Sequence, residues 1–259
     1  MNIFDATILG IVEGLTEFLP VSSTGHMILV SSLLKLQNQE FSKTFEIAIQ
    51  LGAIFAIVSL YARRFLCNVA LYKKLFVAFL PSAAVGFFAY KIIKAYLFNS
   101  VVVSVALVIG GIILILLDKK VVNGAQKHLN TENIPYKNAL LIGVFQSISV
   151  IPGVSRAAAT IIGGVFNGFD KRQATEFSFL LAIPTMFAAT GYDLLKTPVH
   201  LTGHEFLLIG IGGIVSFISA WIAVKLFLRL IEKHGFMIFG YYRIALGLLF
   251  LWFFGFNLT

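Results

Sequence analysis

Two short polar segments of this strongly apolar chain carry the residue types that catalysis requires. The first reads Glu-Gly-Leu-Thr-Glu-Phe-Leu-Pro-Val-Ser-Ser-Thr-Gly-His and begins at Glu13. Glu13 and Glu17 are four residues apart, so on a helix they share one face, where they could supply a general base or hold a divalent cation, Mg²⁺ or Ca²⁺. The polar run behind them offers hydroxyl nucleophiles and a proton carrier, namely Ser22, Ser23, Thr24 and His26.

The second segment, Pro-Gly-Val-Ser-Arg ending at Arg156, places an arginine in the middle of an apolar stretch. A guanidinium in such surroundings requires an anionic partner, and its planar fork suits a phosphate. Backbone amides around Gly153 and Ser155 could bind the same anion at the start of the next helix, with Thr160 one turn further on. The structural alternative is an ion pair between Arg156 and one of the two glutamates.

The composition excludes a soluble enzyme. Hydrophobic residues make up 58% of the 259, charged residues only 12%, and the mean hydropathy is +0.91. Soluble domains carry roughly 25% charged residues, so this chain lacks a polar surface. The net charge of +8 is therefore expected in loops beside a membrane rather than in a nucleic-acid-binding surface. The single cysteine excludes an intrachain disulfide and a cysteine metal cluster.

Six apolar stretches are long enough to predict membrane-spanning helices, the last of them interrupted only by Arg243. They cover residues 47–62, 75–90, 95–117, 177–192, 206–224 and 236–254. Segments 3–34 and 138–169 are instead broken in the middle by proline, glycine, serine and charge. Proline interrupts a helix, and irregular backbone at membrane depth is tolerated only inside protein or beside a water-filled cavity. The sequence thus predicts an all-α membrane protein with six transmembrane helices plus two re-entrant helix–loop–helix segments.

The two halves of the chain resemble each other. Four positions of the first half, Gly10, Glu13, Pro20 and Ser23, correspond to Gly143, Gln146, Pro152 and Ser155. Each half holds one broken segment and three spans, and three is odd, so the halves should lie in opposite orientations. We therefore predict a single membrane domain, 1–259, built from two inverted-topology repeats, about 1–130 and 131–259. Such repeats place their functional site near the midplane, where the broken helices meet.

The lysines and arginines agree with this topology. When the loop 63–74 is placed inside and the spans alternate, most of the basic residues fall on the inner side, as membrane proteins require. This agreement holds only if both broken segments return to the side from which they enter.

At these two motifs the chain resembles the undecaprenyl-diphosphate phosphatase family of bacterial inner membranes. The resemblance extends over nearly the whole chain, including Phe-Ser-Phe-Leu-Leu-Ala-Ile-Pro from Phe177. It implies hydrolysis of undecaprenyl diphosphate to the monophosphate at the outer, periplasmic face, which recycles the lipid carrier of peptidoglycan synthesis and confers bacitracin resistance. One departure is Ala157, where the family usually has serine, so that position is left out of the site.

Residue roles follow as hypotheses. Arg156 would clamp the diphosphate, helped by Ser155 and Thr160, and Ser23 would attack the terminal phosphorus after activation by Glu17. His26 would assist proton transfer in this scheme; in a rival scheme His26 is itself the nucleophile. Glu13 would hold a cation with Glu17 or act as an electrostatic neighbour.

The alternative function is a lipid flippase or ion-coupled transporter. Inverted repeats with paired broken helices are a transporter architecture, and intramembrane carboxylates commonly bind coupling ions. The density of nucleophile, base and phosphate clamp at the two breaks favours hydrolysis, which transport does not need. The oligomeric state stays open, and a homodimer is one candidate.

Overall fold

The computed structural model describes residues 1–36, 40–67, 69–97, 99–122, 134–196 and 201–255, and over these ranges its regular structure is entirely helical. In chain order the helices are α1 Ile3–Thr16, α2 Ser23–Leu33, α3 Glu40–Cys67, α4 Val69–Tyr96, α5 Ser100–Val122, α6 Tyr136–Ser147, α7 Arg156–Phe166, α8 Lys171–Lys196, α9 Gly203–His234 and α10 Met237–Gly255. The predicted all-α class is confirmed. The predicted repeat boundary at 130/131 lies outside the described residues.

Six of these helices are long and apolar enough to cross a membrane, which confirms the predicted spans. They contain Phe41–Ala62, Ala70–Ala89, Ser100–Lys119, Lys171–Lys196, Gly203–His234 and Met237–Phe254. Many of their large apolar side chains point outward: Phe88 of α4 is 82% exposed and Phe206 of α9 is 62% exposed. Lipid is the solvent for which such a surface is suited. The chain is a multi-pass membrane protein.

The two predicted interruptions occur where expected. α1 ends at Thr16 and α2 begins at Ser23, while α6 ends at Ser147 and is followed by a 3-10 turn, Ile148–Val150, before α7. We call residues 17–22 the first break and residues 148–155 the second break. The helices on either side of each break pack against each other. Their re-entrant course in a membrane, and the inverted repeat, stay predictions.

Proline alone does not decide where a helix breaks. Pro81 and Pro184 lie inside α4 and α8, which continue through them. The hydroxyl of the next residue bonds to the preceding turn in both helices, from Ser82 Oγ to the Phe79 carbonyl (2.9 Å) and from Thr185 Oγ1 to the Leu181 carbonyl (2.8 Å). Side-chain hydroxyls of this kind help a membrane helix to tolerate proline.

The short helices of one half pack on the long helices of the other. α1 lies against α9 and α6 lies against α4, so the two contacts mirror each other, and α5 pairs with α10. Both mirrored contacts require glycine: a Cβ on Gly10 would lie 2.7 Å from the Gly212 carbonyl, and one on Gly143 would collide with the Ala78 carbonyl. This reciprocal packing supports the predicted repeat and brings the two breaks together at the centre of the molecule.

Candidate active site

A cavity of about 480 Å³ lies between the two breaks. Its polar end is formed by the first break with the start of α2, and by the second break with the start of α7. Its other walls are Gln50 of α3 and segments of α4 and α8, which contribute mostly apolar side chains such as Phe79, Phe87 and Met186. The cavity therefore combines a polar end with an apolar wall, as an amphiphilic ligand requires.

Matching serines begin the two short helices at the polar end. Ser22 has φ +70° and Ser155 has φ +72°, a region that residues other than glycine rarely adopt. Each serine caps its helix, with Ser22 Oγ accepting from the Gly25 amide and Ser155 Oγ from the Ala158 amide. Strained backbone of this kind clusters at functional sites. It places the N-termini of α2 and α7, which favour anions, at the wall of the cavity.

Glu17 joins the chemistry of the two breaks. Ser23 Oγ donates to Glu17 Oε2 at 2.5 Å, and Arg156 Nη2 donates to Glu17 Oε1 at 3.1 Å. All three residues line the cavity. One carboxylate thus accepts from the candidate nucleophile and from the candidate phosphate clamp, although the two come from segments more than a hundred residues apart in the chain.

Arg156 is oriented by further contacts. Its Nη1 donates to the Ser178 carbonyl at 3.1 Å, and its guanidinium lies 5.5 Å from the centroid of the Phe18 ring. Its Nε–H has no hydrogen-bond partner among the described residues, although the side chain is about 90% buried. The structural ion pair considered from the sequence is present, and among the described residues it leaves the Nε–H without a partner.

Glu13 lies behind Glu17 and does not line the cavity. It is 1% exposed, and its Oε1 has no hydrogen-bond partner among the described residues. A buried carboxylate oxygen without a partner is costly and is a candidate ligand for a cation. The described residues contain no group of three acidic, histidine or cysteine side chains that could hold a metal. A divalent cation would therefore need oxygens from the substrate or from water besides Glu13 and Glu17.

His26 does not face the cavity. Its Nδ1–H donates to the Ser22 carbonyl at 2.8 Å, and its Nε2 lies 2.7 Å from the hydroxyl of Tyr242, on which the ring also stacks. Both ring nitrogens are therefore engaged away from Ser23 and Glu17. The role of His26 in proton transfer, or as the nucleophile of the rival scheme, stays a prediction; in this geometry its ring contacts the start of α2 and Tyr242.

The other predicted binding residues divide into two groups. Ser22, Thr24, Gly153 and Ser155 all line the cavity. Thr160 does not: it is fully buried, with its Oγ1 2.9 Å from the Arg156 carbonyl and 2.6 Å from Ser178 Oγ. Its role in substrate binding stays a prediction; in this geometry its hydroxyl contacts the turn that carries Arg156.

Sequence reasoning assigned no role to two further groups. Gln146 donates through Nε2 to Ser82 Oγ at 2.6 Å and to Thr185 Oγ1 at 3.1 Å, which ties α6 to α4 and α8 beside the cavity. Tyr242 of α10 holds His26. The predicted repeat aligns Gln146 with Glu13, and this alignment is the one sequence signal that points to position 146. Nothing in the local sequence around Tyr242 indicates its partner.

Comparisons with known proteins agree on one family. The model of the bacitracin resistance protein BacA family matches residues 6–249. Undecaprenyl-diphosphatase of Wolinella succinogenes is 51% identical over 98% of both chains. The proteins of that name from Persephonella marina and Campylobacter jejuni are 49% and 47% identical, over 98% and 95% of this chain and 99% and 92% of theirs. Given this extent of match, the chain belongs to the bacitracin resistance protein BacA family.

Proposed function

We propose that this chain hydrolyses undecaprenyl diphosphate to undecaprenyl phosphate and inorganic phosphate, thereby recycling the lipid carrier of peptidoglycan synthesis and conferring resistance to bacitracin. The observation that carries the proposal is the Ser23–Glu17–Arg156 cluster at the polar end of a cavity with an apolar wall. The names of the relatives support the same activity.

In the first step, Ser23 Oγ attacks the terminal phosphorus while Glu17 Oε2 accepts the hydroxyl proton along their existing hydrogen bond. The bond between the terminal phosphorus and the bridging oxygen breaks, and undecaprenyl phosphate leaves with the electron pair. The product is a phosphoseryl protein. Ser23 is preferred to His26 as nucleophile because only Ser23 lines the cavity next to a base.

In the second step, water attacks the phosphoserine and gives its proton to a base. Glu17 can serve again once it has released the first proton to the departing phosphate or to solvent. The bond between phosphorus and Ser23 Oγ breaks, the proton taken from water passes from Glu17 to Ser23 Oγ, and inorganic phosphate leaves. The two steps together consume one water and break one phosphoanhydride bond.

Arg156 and the two helix N-termini would bind the diphosphate. The unpartnered Nε–H of Arg156 could donate to a phosphate oxygen without breaking the Glu17 ion pair. α2 and α7 both begin at the cavity wall, so one terminus could serve each phosphate group. This arrangement favours a diphosphate over a monophosphate.

A divalent cation, Mg²⁺ or Ca²⁺, fits the residues that are present. Glu13 has a buried oxygen with no hydrogen-bond partner among the described residues, and Glu17 lies on the same helix face. These carboxylates would hold the cation together with phosphate oxygens, as is common for Mg²⁺. When bound, it would neutralise charge on the diphosphate.

We further propose that the protein resides in the bacterial inner membrane with its cavity open to the periplasm. The cavity follows the C-terminal halves of α4 and α8, whose ends face outward in the topology that the lysine and arginine distribution favours. Leu195 lies near one such end and is 89% exposed, whereas Lys233 lies at the opposite end, near the end of α9. In a background with Cys67→Ser, an impermeant thiol reagent added to intact cells should label Leu195→Cys and not Lys233→Cys. The reverse pattern would contradict the proposed orientation.

The activity itself is tested by phosphate release from undecaprenyl diphosphate by the purified protein. Ser23→Ala should abolish turnover, while the matched control Thr16→Ala should retain it, because within the described part of the chain the Thr16 hydroxyl donates only to the Val12 carbonyl. A wild-type protein that releases no phosphate would overturn the proposal. Sealed vesicles with labelled lipid separate hydrolysis from transport, since a flippase would move the lipid without cleaving it.

A further inference from the structure

We propose that Arg243, on α10, is a positioning residue of the active site: it binds the carbonyls of both breaks and holds Ser23 and Arg156 in register. Its side chain is completely buried. Nη1 donates to the carbonyls of Pro20 and Val154, both at 3.0 Å, and Nη2 donates to the Gly153 carbonyl at 2.9 Å. One guanidinium therefore links the two breaks directly.

The same guanidinium is anchored on a third element. Nη2 also donates to the Ala106 carbonyl at 3.1 Å, and Nε to the Leu107 carbonyl at 3.4 Å, both on α5. None of the ion pairs found among the described residues involves Arg243. Its buried charge is thus offset by carbonyl dipoles rather than by a carboxylate, and three of these five carbonyls belong to the two breaks.

The bound carbonyls are next to the reacting groups in the chain. Pro20 lies between Glu17 and Ser23, and Val154 lies two residues before Arg156. A catalytic group displaced by about 1 Å can cost a factor of about 10² in rate. Losing the link between the breaks would move Ser23 and Glu17 relative to Arg156, so its effect should appear in turnover and not only in stability.

An arginine is required because an ammonium cannot reproduce the contacts. Five N–H groups in a rigid fork serve five carbonyls here, whereas lysine has three donors on one nitrogen. The inference rests on the proposed phosphatase activity for its kinetic test. A spectroscopic measurement of the distance between the two breaks does not depend on that activity.

Neighbouring glycines on α5 allow a test that leaves Arg243 itself unchanged. A Cβ on Gly110 would collide with Arg243 Nη2 and lie 2.8 Å from its Cζ. A Cβ on Gly111 would instead lie 2.6 Å from the Gly240 carbonyl and 2.8 Å from Ile244 Cγ1. Gly110→Ala thus displaces the guanidinium, while Gly111→Ala strains the same helix crossing without meeting the guanidinium.

The kinetic experiment compares Arg243→Met, Arg243→Lys, Gly110→Ala and Gly111→Ala, with kcat counted per folded, monodisperse molecule. We expect kcat to fall about 100-fold or more in Arg243→Met, about tenfold in Arg243→Lys, and more in Gly110→Ala than in Gly111→Ala, with KM changed less than about threefold. A purely structural arginine would lower the yield of folded protein in both glycine variants and leave kcat per molecule unchanged. That result, or Arg243→Met within about threefold of wild type, would overturn the proposal.

The second readout measures the breaks without turnover. Spin labels at Leu15, which precedes the first break, and at Ile148, the first residue of the second break, are both exposed and report the distance between the two segments in the Cys67→Ser background. We expect one narrow distance distribution with Arg243 in place and a broadened one in Gly110→Ala, with Gly111→Ala closer to wild type. Unchanged distributions would overturn the positioning role even in active protein. An inactive wild type with the expected distributions would instead overturn only the proposed function.

Discussion

The first and second breaks have the same backbone plan but carry different chemistry. Each ends in a capping serine with positive φ that starts a short helix at the cavity wall. The first break contains the carboxylate of Glu17 and is followed by Ser23, the candidate nucleophile, while the second break is followed by the cation Arg156. The two breaks thus place similar helix N-termini at the cavity wall, while the side chains that follow them differ.

The difference extends to the helix before each break. The predicted repeat aligns Glu13 of α1 with Gln146 of α6, and both side chains are buried. The amide of Gln146 is satisfied by Ser82 and Thr185, whereas Glu13 Oε1 has no hydrogen-bond partner among the described residues. We infer that Gln146 serves stability and that Glu13 serves function. Each prediction below tests one side of this comparison.

The largest effect is expected at the nucleophile. Ser23→Ala removes the hydroxyl that donates to Glu17 and should lower kcat by a factor on the order of 10⁴ or more. Rapid quenching with substrate labelled in the terminal phosphate should trap a phosphoserine, which survives acid. An acid-labile phosphohistidine at His26, with turnover retained in Ser23→Ala, would establish the rival scheme.

The second-largest loss of kcat is expected when the carboxylate of Glu17, in the first break, is replaced. Glu17→Gln keeps the volume but removes the base for Ser23 and the counter-charge of Arg156, so kcat should fall about 10²- to 10⁴-fold. The protein should still insert and purify, as measured by gel filtration in detergent. Near-normal phosphate release from both Glu17→Gln and Glu13→Gln would show that this helix face has no catalytic role.

Replacing Arg156, which follows the second break, tests whether the planar guanidinium is needed or only its positive charge. Arg156→Lys retains one positive charge but loses the planar guanidinium. In the wild type, that guanidinium contacts Glu17 and Ser178, and its Nε–H has no partner among the described residues. We expect a folded protein with kcat lowered about 10²- to 10³-fold, equivalent to roughly 3–4 kcal/mol. Activity within about threefold of wild type would identify Arg156 as a counter-ion only and place the phosphate elsewhere.

Substitution of Gln146 should lower stability rather than turnover, unlike the substitutions at Ser23, Glu17 and Arg156. Gln146→Leu leaves the hydroxyls of Ser82 and Thr185 without their amide partner and should lower the free energy of unfolding by about 1–3 kcal/mol. The thermal midpoint in detergent should fall while kcat per folded molecule changes little. A large loss of kcat at unchanged stability would mean that Gln146 takes part in binding or catalysis.

The smallest effect is expected at the repeated serine. Ser155→Ala loses the cap and retains a Cβ at φ +72°, whereas Ser155→Gly loses the cap but suits the backbone. The free energy of unfolding of Ser155→Ala should therefore be about 1 kcal/mol lower than that of Ser155→Gly, which would be measured as a lower thermal midpoint. Equal midpoints would show that the positive φ is not costly here.

The sequence by itself was sufficient to predict the all-α class and the six long apolar helices. Span lengths and charge gaps predicted the six long helices, because a bilayer core demands a minimum run of apolar residues whatever the tertiary packing. The breaks at Pro20 and Pro152 were also located correctly. Pro81 and Pro184 show the limit of that reasoning, since α4 and α8 continue through them with help from a following hydroxyl.

The sequence also identified most residues of the candidate site, because charge within an apolar chain is conspicuous. Glu17, Ser23 and Arg156 come together as expected from their types. Arg243 meets the same criterion as Arg156, being the one charge in its apolar stretch, but sequence alone assigned it no role.

Only the tertiary structure decided which way each polar group faces. His26 turns to Tyr242, Thr160 turns to Ser178, and Arg243 turns to the carbonyls of both breaks. These partners are distant in the chain, so no local pattern encodes them. A side chain's role depends on which partner satisfies its donors and acceptors, and inside an apolar molecule that partner is chosen by the packing of distant helices.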